Sequence, residues 1–401
     1  MNYRCYTNDK YKKNIQSAIT GVNHRNDMQV EVVKNATFVV DTKDGAFGIF
    51  DTDGVLVKTG LQFRGPKCNF IPKFSKATEY IDVDAMFLGN VFYHFGHFLL
   101  EQLNRAWAIR EYARPGMKFV FVDYVGQGAK SWVYDFAKLL GIQADDLIVL
   151  DKTVRFRSVL VPSQSMNLSG KWQAKEFIGA FDIIRDNVIG DAKSKWDKVY
   201  VSRAKLPDDM RTYGEEKIQQ IFEKNGFKVI CPETLPLAEQ VKIIGGASVL
   251  AGCAGTALHM ALFMRPGGRV IQLNRSLSVR DSGGLQYRMC ELRGLGLDIV
   301  SASIEKTQSQ HGGDDHAPQI IGITKYLKQY FDENGFVCDL VDYKPDEKAW
   351  QQYEAQLKEF KKAHGSSLKQ NVKKVFIRIV SCVVPGRVNR KRLRKWLKEH
   401  L

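Results

Sequence analysis

The stretch SVLAGCAGTALHMALFMRPGGRVIQL, residues 248–273, decides the fold. It begins with an apolar run that predicts a buried strand and continues through a turn bracketed by Gly252 and Gly255. A short apolar helix is predicted over residues 256–263, followed by an Arg-Pro-Gly-Gly break and a second strand over residues 269–273. This order predicts a βαβ unit whose turn lies at the carboxyl end of a strand. Because helix N–H groups converge there, we expect an anion site, with a diphosphate as its ligand.

The bulk composition indicates a globular protein. A chain of 401 residues with 44% apolar side chains is long for one core and favours two domains. Its seven cysteines are scattered singly without a Cys-x-x-Cys pair, which argues against a disulfide framework or a cysteine zinc site and indicates a reducing cytoplasm. No run of about 18 apolar residues is present, so no membrane-spanning helix is expected.

Positive charge is concentrated at the end of the chain. Residues 369–401 contain eleven Lys and Arg against one Glu, and thus hold most of the net charge of +15. With its apolar residues, this segment predicts a helical tail that docks on an anionic membrane surface, and therefore a peripheral location on the inner face of the membrane. Nucleic acid is a competing partner, but no nucleic-acid-binding module is recognisable. A solvated basic tail is the simplest alternative.

Strands and helices alternate in both halves, which predicts an α/β protein with mainly parallel sheets and a cleft between two half-chains. The expected division is an N-terminal acceptor-side domain over residues 1–170, a Rossmann-like domain over 171–340 and the tail over 341–401. Residues 163–170 are the candidate hinge, and a helix is expected over residues 171–188. Strands of the first half are expected at residues 36–40, 46–50, 118–122, 147–150 and 158–162.

The first candidate catalytic group lies in a segment predicted to be helical from about residue 93. His94, His97, Glu101 and Arg105 recur there at spacings that place them on one face of a helix. Two imidazoles, a carboxylate and a guanidinium in one stripe are unusual for a purely structural helix. A half-buried helix with a satisfied His–Glu pair is the alternative interpretation.

The ordered motifs resemble glycosyltransferase family 61. The Gly89-Asn90 pair and residues 96–101 are similar to the family's first conserved block, and the remaining likeness lies in residues 201–203, Arg211 and residues 232–241, 252–273 and 286–292. The resemblance implies a GT-B-like fold, an inverting mechanism and no essential metal. Ala254 and Met260 stand where many relatives have His and Asn.

An inverting transferase needs a base for the acceptor hydroxyl, and a group that titrates near neutral pH serves best. We expect His97 to be this base, with Glu101 one turn later to orient it and His94 in reserve. The charge that develops on the leaving diphosphate requires cations and N–H groups. The expected donor-binding residues are Ser202, Arg203, Arg211, Glu233, Gly252, Gly255, Thr256, His259 and Arg265. For the arginines a surface ion pair is the alternative, and for His259 a buried structural role.

The sequence therefore predicts a bacterial-type transferase that uses a nucleotide sugar, with UDP as the expected nucleotide, to extend a capsular or other surface polysaccharide or its lipid-linked precursor. A polysaccharide pyruvyl transferase-like enzyme and a non-catalytic sugar- or nucleotide-binding scaffold are the alternatives. Asp82-Val83-Asp84 could instead hold a metal-bound donor, but this motif precedes the histidine segment rather than a nucleotide-binding βαβ unit.

Overall fold

The computed structural model describes residues 2–64, 66–91, 93–190, 195–208, 210, 212–276, 284–304, 318–339 and 347–363. The predicted basic segment, residues 369–401, lies outside them. Within the described residues the protein is a mixed α/β structure with parallel sheets, as the alternation predicts. None of its described helices combines the length and apolar character needed to cross a membrane.

The strands in the described part of the chain are numbered in chain order. They are β1 (Tyr3–Tyr6), β2 (Asn23–Arg25), β3 (Val30–Lys34), β4 (Thr37–Asp41), β5 (Ala46–Phe50), β6 (Phe63–Arg64), β7 (Lys67–Cys68), β8 (Tyr80–Asn90), β9 (Lys118–Val122), β10 (Leu147–Leu150), β11 (Val154–Pro162), β12 (Met166–Asn167), β13 (Trp172–Ala174), β14 (Lys198–Val201), β15 (Thr212–Tyr213), β16 (Lys228–Ile230), β17 (Val249–Cys253), β18 (Arg269–Asn274), β19 (Gly296–Ser301) and β20 (Gln319–Ile320).

The principal helices are numbered in the same way. Helix α2 is a composite of four consecutive pieces, namely Phe95–His97, a π-helical Phe98–Gln102, a 3₁₀-helical Leu103–Ala108 and Ile109–Tyr112. The others are α1 (Asp9–Ile19), α3 (Ser131–Leu139), α4 (Gly179–Val188), α5 (Glu215–Lys224), α6 (Leu237–Gly245), the 3₁₀ helix α7 (Thr256–Phe263), α8 (Gly284–Arg293), α9 (Lys325–Glu333) and α10 (347–363).

The sheet of the second half is parallel throughout, in the order β1-β19-β18-β17-β14-β16. Its inner strands are nearly continuous apolar runs because both faces are covered. The βαβ unit predicted from residues 248–273 is confirmed as β17, α7 and β18. Strand β1 differs from expectation: it leaves the N-terminal region and extends the second sheet, with Tyr3 opposite Leu297.

The sheet of the first half is mixed, with parallel and antiparallel strand pairs. Strand β8 pairs through Tyr80–Met86 with β11 and through Ala85–Asn90 with β9, with a register shift near Gly89. The five predicted strands of the first half are confirmed within the order β10-β9-β8-β11-β4-β5, with β3 beside β11. Strand β8 ends at Asn90, four residues before His94, so it leads directly into the histidine segment.

The connection between the halves departs from the predicted helix over residues 171–188. Residues Trp172–Ala174 instead form β13, which pairs with β2 and β12, and regular α-helix begins only at Gly179. The guanidinium of Arg288 in α8 explains this geometry, since it donates to the carbonyls of Asn167, Leu168 and Trp172. The candidate hinge, residues 163–170, is thus tied by hydrogen bonds to the second half.

One hydrophobic cluster runs through both halves. It contains Leu99 of α2, Phe181 of α4 and Leu250 of β17, all fully buried. The rings of Phe181 and Phe263 contact each other at 5.3 Å between centroids. This continuous packing fixes α2 relative to the second sheet.

Candidate active site

The histidine segment begins in an extended backbone and becomes helical only at Phe95. His94 caps this start, because its Nδ1 accepts a hydrogen bond from the Gly96 N–H at 3.2 Å. The following apolar residues, including Phe98 and Leu99, are completely buried and hold the segment against the core. The predicted helix is therefore confirmed, with a later start and with π and 3₁₀ turns in its interior.

His97 and Glu101 form the close pair that their spacing predicts. The His97 Nδ1 lies 2.6 Å from the Glu101 Oε2, and the side chains are 43% and 4% exposed. A buried carboxylate at Nδ1 fixes the ring orientation and favours the tautomer with its proton on Nδ1. A substrate proton would consequently be taken by Nε2.

Arg64 is a third member of this cluster that sequence reasoning missed. It lies in the β6–β7 hairpin, and its Nε is 2.9 Å from the Glu101 Oε1, while its Nη2 is 3.5 Å from the His97 Nδ1. The guanidinium thus binds the carboxylate oxygen that His97 does not use. Because the Arg64 side chain is about half exposed, its energetic contribution is modest. No local motif links residues 37 positions apart.

Arg105 does not lie on the same helix face as His97 and Glu101, so this part of the prediction is wrong. Its side chain is fully buried and donates to the backbone carbonyls of Thr59, Leu61 and Pro162. Burial lowers its pKa to about 9. The reason is the change from π to 3₁₀ turns in α2, which rotates later residues away from the face expected for a regular α-helix.

The glycine turn after β17 uses its two glycines differently. Gly255 has a φ of +152°, and a Cβ there would lie 3.0 Å from the Nη1 of Arg203. This conformation disfavours other residues and lets the guanidinium approach the backbone. At Gly252 a Cβ would lie 2.7 Å from the carbonyl oxygen of Val201, so this glycine serves strand packing.

The histidine segment and the glycine turn are in direct contact. A Cβ on Gly96 would lie 2.7 Å from the Oγ1 of Thr256, the first residue of α7. Gly96 directly precedes His97, and Gly255 lies against Arg203, so both residues are next to the contact between the two segments. The sequence predicts that these elements face each other, and the structure brings them together.

The backbone of Arg203 is held by a buried polar cluster that contains Glu215 and Tyr200. Glu215, the first residue of α5, is completely buried and accepts hydrogen bonds from the Tyr200 hydroxyl at 3.0 Å and the Arg203 N–H at 3.1 Å. Burial raises the pKa of Glu215 to about 7, although the nearby Arg203 charge opposes that rise. Sequence analysis did not select Glu215 because its role depends on burial.

Replacing Glu215 with glutamine tests this burial. Because folding raises its pKa from 4.5 to about 7, the stability that its proton provides is fully present below pH 4.5 and is lost as the pH rises through 7. One pKa unit corresponds to about 1.4 kcal/mol. Between pH 4.5 and pH 8, the free energy of unfolding of Glu215→Gln should therefore rise by about 3 kcal/mol relative to that of the wild type. Urea unfolding across this range measures the difference. The exposed Glu223→Gln on the same helix is the control, and equal pH profiles for the two variants would contradict the prediction.

The remaining predicted donor residues lie in different settings. The Ser202 hydroxyl donates to Gln219 Oε1 at 2.8 Å and accepts from the Ala204 N–H, so it shapes the turn after β14. Glu233 is exposed in the 3₁₀ turn that follows β16, on the same edge of the sheet as Arg203. Arg211 lies outside the described residues.

His259 and Arg265 are poorly placed for the turn. The His259 Nδ1 is 2.8 Å from the Gln286 Oε1, and burial lowers the pKa of this imidazole, which makes it a link between α7 and α8. Arg265 follows the opposite end of α7, about 16 Å along a 3₁₀ helix of eight residues, and donates to the Gly190 carbonyl. The glycine turn and Arg265 thus lie at opposite ends of α7. Met260 is fully buried and Ala254 nearly so.

The Asp-x-Asp motif lies in an ion pair. Arg157 of β11 contacts Asp82 at 3.4 Å and Asp84 at 3.0 Å, near the beginning of β8. The His97 cluster follows the other end of this 11-residue strand. Within the described residues, no group of three or more His, Cys, Asp and Glu side chains could hold a metal ion.

Comparison with known proteins adds independent information. The model of the Glycosyltransferase 61 family matches residues 95–271, which include His97, Glu101, Arg203 and the glycine turn. No curated protein matches the chain. Among solved structures, a bacterial iron-containing dodecameric glycosyltransferase, TibC of enterotoxigenic E. coli, is 11% identical with a TM-score of 0.25, covering 60% of this chain and 73% of that one. A score this low does not establish a common fold. The match over residues 95–271 thus supports a glycosyltransferase related to family 61.

Proposed function

We propose that the protein is an inverting, metal-independent transferase that moves a sugar from a nucleotide sugar to a glycan or lipid-linked glycan acceptor in surface polysaccharide synthesis. One observation supports the proposal: Gly96, the residue before His97, packs directly on Thr256, at the end of the turn that Arg203 flanks. A base and an anion site next to each other suit transfer from a diphosphate leaving group.

In the proposed reaction, the Nε2 of His97 takes the proton of the acceptor hydroxyl as the acceptor oxygen attacks the anomeric carbon. The bond between that carbon and the phosphate oxygen breaks, and the nucleoside diphosphate leaves with the electron pair. Arg203 and the N–H groups at the start of α7 stabilise the added negative charge. Glu101 stabilises the imidazolium while the reaction proceeds.

The proposed architecture is GT-B-like, with an acceptor domain over residues 1–170 and a donor domain over residues 171–340. The two large sheets of the described residues are separate, and the candidate site lies at the contact of α2 with the β17–α7 turn; both features support this division. Strand β1 would then be an N-terminal extension that crosses to the donor domain.

The proposed location is the inner face of the cytoplasmic membrane. It is supported by the eleven Lys and Arg among residues 369–401, within the tail of residues 341–401. Lipid-linked acceptors would be concentrated on that surface. Sedimentation with anionic vesicles tests the idea, and equal pelleting of the full chain and a chain ending at residue 365 would refute it.

The function itself is tested by UDP release from a panel of UDP-sugars, with and without glycan acceptors. Slow UDP release from one donor, accelerated by an acceptor, is the expected result, and the product should have the opposite anomeric configuration to the donor. The reaction should persist in EDTA. Binding without turnover across the panel would favour a scaffold, and turnover of phosphoenolpyruvate would favour a pyruvyl transferase-like enzyme.

A further inference from the structure

A second arginine leaves the donor-side sheet at the same edge as Arg203. Arg275 directly follows β18, and Arg203 comes two residues after β14. Strand β17 lies between these two strands, with Gly252 opposite both Val201 and Gln272. The two guanidinium-bearing residues therefore follow the carboxyl ends of strands on either side of the strand that leads into the glycine turn.

The charges of Arg203 and Arg275 both act on the thiol of Cys253, the last residue of β17. Burial and the Glu215 carboxylate raise the pKa of the Cys253 thiol well above its usual range, while Arg275 and Arg203 both act to lower it. Cys253 therefore remains an uncharged thiol. One of these two arginines, Arg203, also acts on the buried carboxyl group of Glu215, which ionises only near neutral pH.

The Arg275 side chain is incompletely satisfied. Its Nε is buried and has no hydrogen-bond acceptor among the residues that the structure describes. Leaving a buried donor without an acceptor destabilises the structure that holds it. A guanidinium N–H held in this state at the edge of a ligand site is suited to an anionic ligand that supplies the acceptor.

We propose that Arg275 is the second guanidinium of the diphosphate site and binds the nucleotide's diphosphate from the side of the glycine turn opposite Arg203. This inference rests on the proposed function and adds a binding residue to it. Two guanidiniums flanking one turn match the two charged phosphates of a nucleoside diphosphate, and each can bind phosphate oxygens in a bidentate manner. Arg275 takes no part in proton transfer. It lies outside the segment matched by the family model, which ends at residue 271.

Calorimetric titration of the full chain with UDP and with inorganic pyrophosphate tests the assignment. Arg275→Gln should weaken both ligands by about 10- to 100-fold, as expected for the loss of a charge-assisted hydrogen bond. Arg275→Lys should recover part of the loss, because it restores charge without the planar fork. Binding should also become less sensitive to salt in Arg275→Gln. The matched control is Arg155→Gln, which removes an exposed arginine from the first sheet.

Thermal melting of each variant separates loss of a contact from loss of the fold. Affinity of Arg275→Gln and Arg275→Lys for both ligands within twofold of wild type would overturn the proposal. If Arg275→Gln loses affinity and also melts at a lower temperature, the loss reflects the fold. In that case, wild-type affinity of a stable Arg275→Lys variant for both ligands would overturn the proposal. Pyrophosphate binding that depends on Arg275 in a chain that transfers no sugar would uphold this site and reject the proposed reaction.

Discussion

His97→Ala is expected to lower the kcat for sugar transfer by about 10²–10⁴-fold, the usual contribution of a positioned general base. The KM for the donor should change little, because Arg203 and the glycine turn remain. The buried Glu101 carboxylate loses its imidazole partner at 2.6 Å, so folding must be checked by thermal melting. Initial rates of UDP release with acceptor measure the effect.

A second histidine offers a matched control. His24 lies 3.4 Å from Glu291 and is about half exposed, so it resembles His97 in its pairing but lies in β2. His24→Ala should leave kcat within about twofold of wild type. If His97→Ala also retains wild-type kcat while His94→Ala loses it, the base is His94, whose ring centroid is 5.2 Å from that of His97.

Gly96→Ala is expected to destabilise the protein by about 1–3 kcal/mol, as overpacking does in a tight contact, and to lower activity with it. The new Cβ would lie 2.7 Å from the Thr256 Oγ1 and 3.0 Å from its Cγ2. A backbone effect is not expected, because Gly96 does not have a positive φ. Urea unfolding measures the change in the free energy of unfolding.

A double-mutant cycle makes this contact specific. Thr256→Ala removes both atoms that clash, so Gly96→Ala should cost much less in that background than in the wild type. The coupling should approach the full cost of the single substitution. Equal costs in both backgrounds would mean that the histidine segment and the glycine turn are not in contact, and the proposed active site would lose its main support.

Local patterns predicted the parts of the site that depend on neighbouring residues. The apolar run, glycine turn and helix of residues 248–273 specify β17 and α7, because strand and helix periodicities are local properties. The spacing of His97 and Glu101 likewise predicts their contact across one helical turn. Arg105 shows the limit of this reasoning, since a change of helix type within α2 moved it into the core.

Local sequence patterns could not predict the contacts between segments that are distant in the chain. Arg64 reaches Glu101 from a short hairpin, and β1 pairs with β19 from the opposite end of the chain. The importance of Glu215 depends on its complete burial beside Tyr200, which no local spacing encodes.

The sequence by itself determined an α/β chain with a βαβ glycine turn and a His–Glu pair, because periodicity and spacing within one element fix which side chains share a face. Only the tertiary structure decided that Gly96 rests on Thr256 and that Arg203 and Arg275 flank the same strand. These arrangements follow from the order of strands in the sheet and from one hydrophobic core spanning both halves. Both are set by the packing of distant segments, which buries more apolar surface than any single element can bury alone.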